Sequence, residues 1–318
     1  MIGPVILPLL VAFLLGLLAG PPYIRALRAY RLRERIRQEL PADLHAKAGT
    51  PTMGGWLIIG AALLSALALS PDRSTIWPVA GAMLVFGLVG AVDDLAKLRN
   101  RAGVGLAVRF KLAGHLLLAL LLALWVVLGY GQTTAWLPLA GRLDLGPWLV
   151  PIGTLAIFFG TAGVNEVDGL DGLAAGTTAL AFAALLALSL QASQWALASL
   201  CAALIGALLA FLWFNAHPAM VFMGDTGALA LGAALGMISL LGGWVLLLPV
   251  LGLLYALELV SVIIQVAYFK ATGGRRLFRM SPFHHHLQLS GWPEVQIVQR
   301  FWLLAALLAV LTVALGTL

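Results

Sequence analysis

Five of the chain's eight aspartates fall in three short strings flanked by apolar residues and glycine. These are Gly90-Ala91-Val92-Asp93-Asp94, Val167-Asp168-Gly169-Leu170-Asp171-Gly172 and Met223-Gly224-Asp225-Thr226-Gly227. A single Asp in such a setting reads most simply as a solvated helix cap, because Asp is favoured at helix N-termini. Asp94 fits that reading poorly, since a carboxylate pair closing an apolar span sits at the negative end of its own helix dipole. Five clustered carboxylates call for a balancing cation, and a hard one with oxygen ligands, Mg²⁺, is the economical choice. Asn165, Asp168 and Asp171 are three residues apart, so a helical first turn would set them on one face. Gly224-Asp225-Thr226-Gly227 reads as a turn into a helix whose exposed amides suit phosphate. Together with Lys97 these are the parts of a phosphoryl-transfer site, although Lys97 reads equally well as a loop charge.

A second group is Ser281-Pro282-Phe283-His284-His285-His286. Three consecutive His do not share one helix face, and a zinc site would need further ligands. Beside Lys270, Arg275, Arg276 and Arg279 the imidazoles are better read as donors to anions. Glu258 lies inside an apolar stretch, where an acid must find a partner or a polar cavity. Structural pairing and a substrate-facing role stand level for it. His115, also inside an apolar stretch, reads as a hydrogen-bonded packing residue.

The elements that must position these residues follow from composition. The chain has 318 residues, 62% apolar and 10% charged, whereas soluble domains carry about 25% charged residues. The expected fold is all-α, a polytopic integral membrane protein with about ten transmembrane helices. Apolar stretches at 2–19, 54–69, 77–92, 112–130, 148–164, 173–190, 195–214, 227–241, 244–269 and 301–318 supply them. The first lacks a basic segment before it and is followed by Arg25, Arg28, Arg31, Arg33, Arg35 and Arg37, so it reads as a retained span. A single cysteine, Cys201, excludes an intramolecular disulfide and a cysteine-based zinc cluster.

Alternating the loops divides the charge sharply. Segments 20–53, 93–111, 165–172, 215–226 and 270–300 hold 17 of the 19 Lys and Arg, leaving only Arg73 and Arg142 in the other set. By the positive-inside rule the first set is cytoplasmic and both termini lie outside. The net charge of +6 is therefore orientation rather than a sign of nucleic-acid binding. The chain reads as a single transmembrane domain, 1–318, with its chemistry in the cytoplasmic loops.

Taken together, the motifs resemble the polyprenyl-phosphate N-acetylhexosamine-1-phosphate transferases, and within them the phospho-N-acetylmuramoyl-pentapeptide branch. The matching strings run in the family's order over nearly the whole chain. They are Lys47-Ala48-Gly49-Thr50-Pro51-Thr52-Met53-Gly54-Gly55, Val92 to Lys97, Asp168 to Ala174, Phe214 to Ala219, Phe222 to Gly227 and Ser281 to His286. The His run, followed by Gly291-Trp292, is what favours the muramoyl-pentapeptide branch.

The resemblance implies a ten-span homodimer in the bacterial inner membrane with a cytoplasmic active site. It implies transfer of phospho-MurNAc-pentapeptide from UDP-MurNAc-pentapeptide to undecaprenyl phosphate, giving UMP and lipid I for peptidoglycan. By that pattern Asp93, Asp94, Asp168 and His284 are catalytic, and Asp225 holds Mg²⁺. Lys47, Lys97, Asn165, Asp171, Asn215, Phe222, His285 and His286 match substrate-binding positions. The chain departs from the family at Asn165-Glu166-Val167-Asp168, where Asn-Leu-Thr-Asp is usual, at Ala162-Gly163-Val164 and at Gln288. Two rival readings share these features: a sister transferase for UDP-GlcNAc, and a cation transporter.

Overall fold

The computed structural model describes residues 3–30, 49–100 and 105–318. Nine helices among them are long and apolar enough to cross a membrane, and Gly55–Leu69 is a shorter apolar tenth. In chain order the helices are α1 (Gly3–Ala29), α2 (Gly55–Leu69), α3 (Trp77–Arg99), α4 (Val108–Leu124), α5 (Leu149–Val167) and α6 (Leu173–Gln191). They continue as α7 (Trp195–Asn215), α8 (Gly224–Gly242), α9 (Leu253–Ala271), the short α10 (Phe283–Leu289) and α11 (Glu294–Leu315). The protein is an all-α polytopic membrane protein, as its composition requires.

The bundle is built around α8, which is buried along nearly its whole length. It packs against α3 on one side and α5 on another, while α7 packs on α1 and α6. Without a hydrophobic driving force between helices in lipid, close approach of small residues does the packing. A Cβ on Gly160 of α5 would lie 2.5 Å from the Gly232 carbonyl oxygen, and one on Gly232 would lie 2.3 Å from that of Gly160. The α3–α8 crossing is equally close, because a Cβ on Gly90 would lie 2.2 Å from the Asp225 carbonyl oxygen.

Several expected boundaries shift. Helix α1 runs ten residues beyond the predicted span end, to Ala29, with Pro8, Pro21 and Pro22 inside it. Asp93 and Asp94 belong to the last turns of α3 rather than to a loop. The stretch expected at 244–269 is divided, with a short turn of helix at Leu248–Leu251 before α9. Pro249 stands in the first turn of that short helix, where a missing backbone donor is tolerated, and Gly252 separates it from α9. A two-stranded hairpin, Thr134–Leu137 (β1) with Gly141–Asp144 (β2), was not expected. It caps the end of the bundle remote from the aspartates, where the Trp136 N–H donates to the Gly243 carbonyl at 2.6 Å.

Candidate active site

The three aspartate strings and the His run meet at one end of the bundle, around a cavity of about 580 Å³. Asp93 and Asp94 come from α3, Asn165 and Asp168 from the end of α5, Asp225 from the first turn of α8, and His285 from α10.

At the centre, two lysines bridge two acids. Lys97 Nζ lies 2.6 Å from Asp225 Oδ1 and 3.2 Å from Asp93 Oδ2. Lys111, from the start of α4, lies 3.1 Å from the same Asp93 oxygen and pairs also with Asp225 Oδ2. The Asn165 amide donates to Asp225 Oδ1 at 3.1 Å, and the Leu106 N–H donates to Asp93 Oδ1 at 2.6 Å. Both carboxylates are thus held by fixed donors. The sequence points to Mg²⁺ as the balancing cation; the structure sets two ammonium groups between acids that lie 132 positions apart in the chain.

Asp94 also borders the cavity, but its oxygens are engaged by the start of α8. Its oxygens accept the backbone N–H groups of Asp225 and Thr226, both at 3.0 Å, and the Thr226 hydroxyl at 2.7 Å. The carboxylate is a cap after all, supplied across the bundle to the N-terminus of α8, where both the orphan amides and the helix dipole favour an anion. Two expectations are corrected by this contact. Asp94, though near the C-terminus of its own helix, is compensated by the N-terminus of another, and the amides of Asp225 and Thr226 are not open to phosphate.

Asn165, Asp168 and Asp171 do not share a helical first turn. Asn165 closes α5, Asp168 is its C-cap, and Asp171 follows in the turn before α6. All three border the cavity, but the Asp171 carboxylate is occupied elsewhere. Its Oδ2 accepts the Ala219 N–H at 3.1 Å and lies 3.0 Å from His217 Nδ1. The Asp171 N–H donates to Glu294 at 2.8 Å, tying this turn to the start of α11. Asn215 borders the cavity with both ends of its amide engaged: it accepts the Gly172 N–H at 3.0 Å and donates to the Val221 carbonyl at 2.9 Å. Gly172 has φ +77°, a left-handed conformation that a side chain would resist.

Phe222 lines the cavity beside Thr52, and their segments are joined by the Phe222 N–H to the Pro51 carbonyl at 2.8 Å. Of the His run, only His285 reaches the cavity. His284, expected to be catalytic, is fully buried against Glu258, with Nδ1 3.2 Å from the carboxylate. This resolves Glu258 as a paired acid. His286 accepts the Arg279 N–H at 3.2 Å and stacks on Phe283. His115 is buried edge-on to Phe86 as a packing residue, and its Nε2 has no hydrogen-bond partner among the described residues. Lys47 lies outside the described residues.

Sequence reasoning missed Lys111, Thr52 and Thr226. From the sequence Lys111 reads only as an orientation charge. The structure begins α4 at Val108, ahead of the expected 112–130 stretch, and so brings Lys111 inside the helix. Glu166 lines the cavity too, so the departure from the family motif adds a carboxylate to the site itself.

A family model described as glycosyl transferase family 4 matches residues 76–243, and a phospho-N-acetylmuramoyl-pentapeptide-transferase signature matches residues 47–59. Relatives named phospho-N-acetylmuramoyl-pentapeptide-transferase are similar over almost their full length. The protein from Desulforamulus reducens is 45% identical over 305 residues, covering 93% of this chain and 91% of its own. That from Moorella thermoacetica is 43% identical over 309 residues, with 95% of each chain covered. That from Geobacillus kaustophilus is 42% identical over 316 residues, with 96% of each covered.

Proposed function

The chain belongs to the phospho-N-acetylmuramoyl-pentapeptide-transferase family, and from that premise we propose that it transfers phospho-MurNAc-pentapeptide from UDP-MurNAc-pentapeptide to undecaprenyl phosphate. The products are UMP and lipid I, a step of peptidoglycan synthesis. The observation that carries this reading is the convergence of Asp93, Asp225, Lys97 and Lys111 at one end of a membrane bundle, on a cavity of about 580 Å³.

An oxygen of undecaprenyl phosphate attacks the phosphorus that bears the sugar. The bond from that phosphorus to the UMP oxygen breaks, and UMP leaves with the electron pair. Asp93, held by the Leu106 N–H and two ammonium groups, orients the lipid phosphate and receives its proton if one is carried. Lys97 and Lys111 supply positive charge to the diphosphate oxygens, and His285 donates from the opposite wall. The oxygen donors of Asp225, Asp93 and Asn165, gathered at one point of the cavity, fit a hard cation such as Mg²⁺, which would displace the ammonium groups from Asp225. Asp225, with Asn165 beside it, would hold the ion. The chemistry such an ion would supply is neutralisation of charge on the diphosphate and on the departing UMP.

The charge division between loops supports a cytoplasmic active site in a bacterial inner membrane, with both termini outside. A homodimer follows from the resemblance. The test is UMP release by purified protein given undecaprenyl phosphate, Mg²⁺ and each nucleotide sugar in turn. Release with UDP-MurNAc-pentapeptide and not with UDP-GlcNAc is expected; the reverse preference would move the chain to the sister activity.

A further inference from the structure

Glu258 is a fully buried carboxylate on a helix read as membrane-spanning, and the reaction above makes no use of it. Its two oxygens accept the His284 backbone N–H at 3.2 and 3.3 Å, and Oε2 lies 3.2 Å from His284 Nδ1. His284 is itself fully buried, and its far nitrogen, Nε2, has no hydrogen-bond partner among the described residues. That nitrogen points at Gly169, where an added Cβ would lie only 2.2 Å from it.

Two turns along α9, Gln265 holds the same returning segment. Its carbonyl oxygen accepts the N–H groups of Leu277 and Phe278 at 3.2 and 2.8 Å, and its amide donates to the Phe278 carbonyl at 3.3 Å. Residues 258 and 265 are seven apart and so lie on one helix face. This face grips segment 277–284 at both ends. The gripped segment brings Ser281 and His285 to the cavity, and Gly169 sits between Asp168 and Leu170 on the facing wall.

A buried acid is costly unless its oxygens are paired, and here both are engaged by one histidine. The carboxylate faces Nδ1, and an ionised carboxylate can only accept, so with Glu258 ionised that nitrogen carries the hydrogen. We propose that Glu258 is a positioning residue for the transfer, acting through His284 to fix His285 and the Asp168–Gly169 turn on two walls of one cavity. Its activity readout rests on the transferase reading; the spectroscopic one does not.

The test uses the full-length protein in detergent with ¹⁵N-labelled histidine, the His284 signals being assigned by loss in His284→Asn. Wild type is expected to show a protonated Nδ1. In Glu258→Gln the amide NH₂ faces Nδ1 and moves the hydrogen to Nε2. Per mole of folded protein, Glu258→Ala is expected to lower kcat for UMP release about 10–100-fold, as loss of positioning does. Glu258→Gln, which keeps an acceptor for the His284 N–H, is expected to fall between Glu258→Ala and wild type. If Glu258→Ala does not fold, Glu258→Gln alone decides. A bare Nδ1 in wild type, or wild-type kcat in folded Glu258→Gln, would overturn the proposal. Absence of UMP release in wild type would instead count against the transferase reading, and the ¹⁵N signals would still decide the Glu258–His284 assignment.

Discussion

At the scale of residues, adjacent acids of one motif have different work. Asp93 and Asp225 share Lys97 and Lys111 at the cavity centre, whereas Asp94 serves the amides of α8. Asp93→Asn and Asp225→Asn should therefore keep the fold and lose turnover by about 10²-fold or more, the scale of a lost acid–base or electrostatic group. Asp94→Asn should behave otherwise. One amide oxygen can accept, but the NH₂ would face a backbone donor, leaving buried groups unsatisfied at about 1–3 kcal/mol. A lowered melting temperature in detergent, absent from Asp93→Asn, checks the distinction. Lys111→Ala removes a charge-assisted contact from each of Asp93 and Asp225 and should lower kcat/KM by about 10-fold or more. Unchanged kcat/KM in that variant would return Lys111 to the role of an orientation charge.

At the scale of elements, the crossing of α3 over α8 sets the site. Gly90 admits the backbone of Asp225, and four residues later Asp94 reaches the α8 amides. Gly90→Ala should force the two helices apart, costing about 1–3 kcal/mol as overpacking does. It should depress activity beyond the loss of folded protein, measured as UMP release per folded molecule beside thermal stability. The aspartate strings themselves were legible in the sequence, because acids flanked by Gly and apolar residues stand out against so little charge. Their partners were not. Lys111 and Asp225 are 114 positions apart and Asp94 and Thr226 are 132 apart, and helical periodicity carries no information about which helices meet. Helix α8 is buried nearly all round, so it has no polar face to reveal its neighbours. The His run misled for a related reason, since burial of His284 depends on Glu258 reaching it from another helix.

At the scale of the molecule, hydropathy made the spans readable while their ends drifted, as with α1 and the divided stretch before α9. The hairpin at 134–144 escaped notice because it is short and follows no apolar period. Its place opposite the cavity gives orientation a direct check. Cys201 is buried and is the only cysteine, so a Cys201→Ala background permits single-cysteine labelling. A cysteine at Leu139, exposed on the hairpin, should react with an impermeant thiol reagent in intact cells, and one at Arg279 only after lysis. The reverse pattern would invert the topology. The central claim is tested most directly by counting products when the purified protein receives UDP-MurNAc-pentapeptide, undecaprenyl phosphate and Mg²⁺. One UMP for each lipid-linked phospho-MurNAc-pentapeptide is predicted from wild type, with neither from Asp225→Asn; UMP without the lipid product, or equal yields from both proteins, would contradict it.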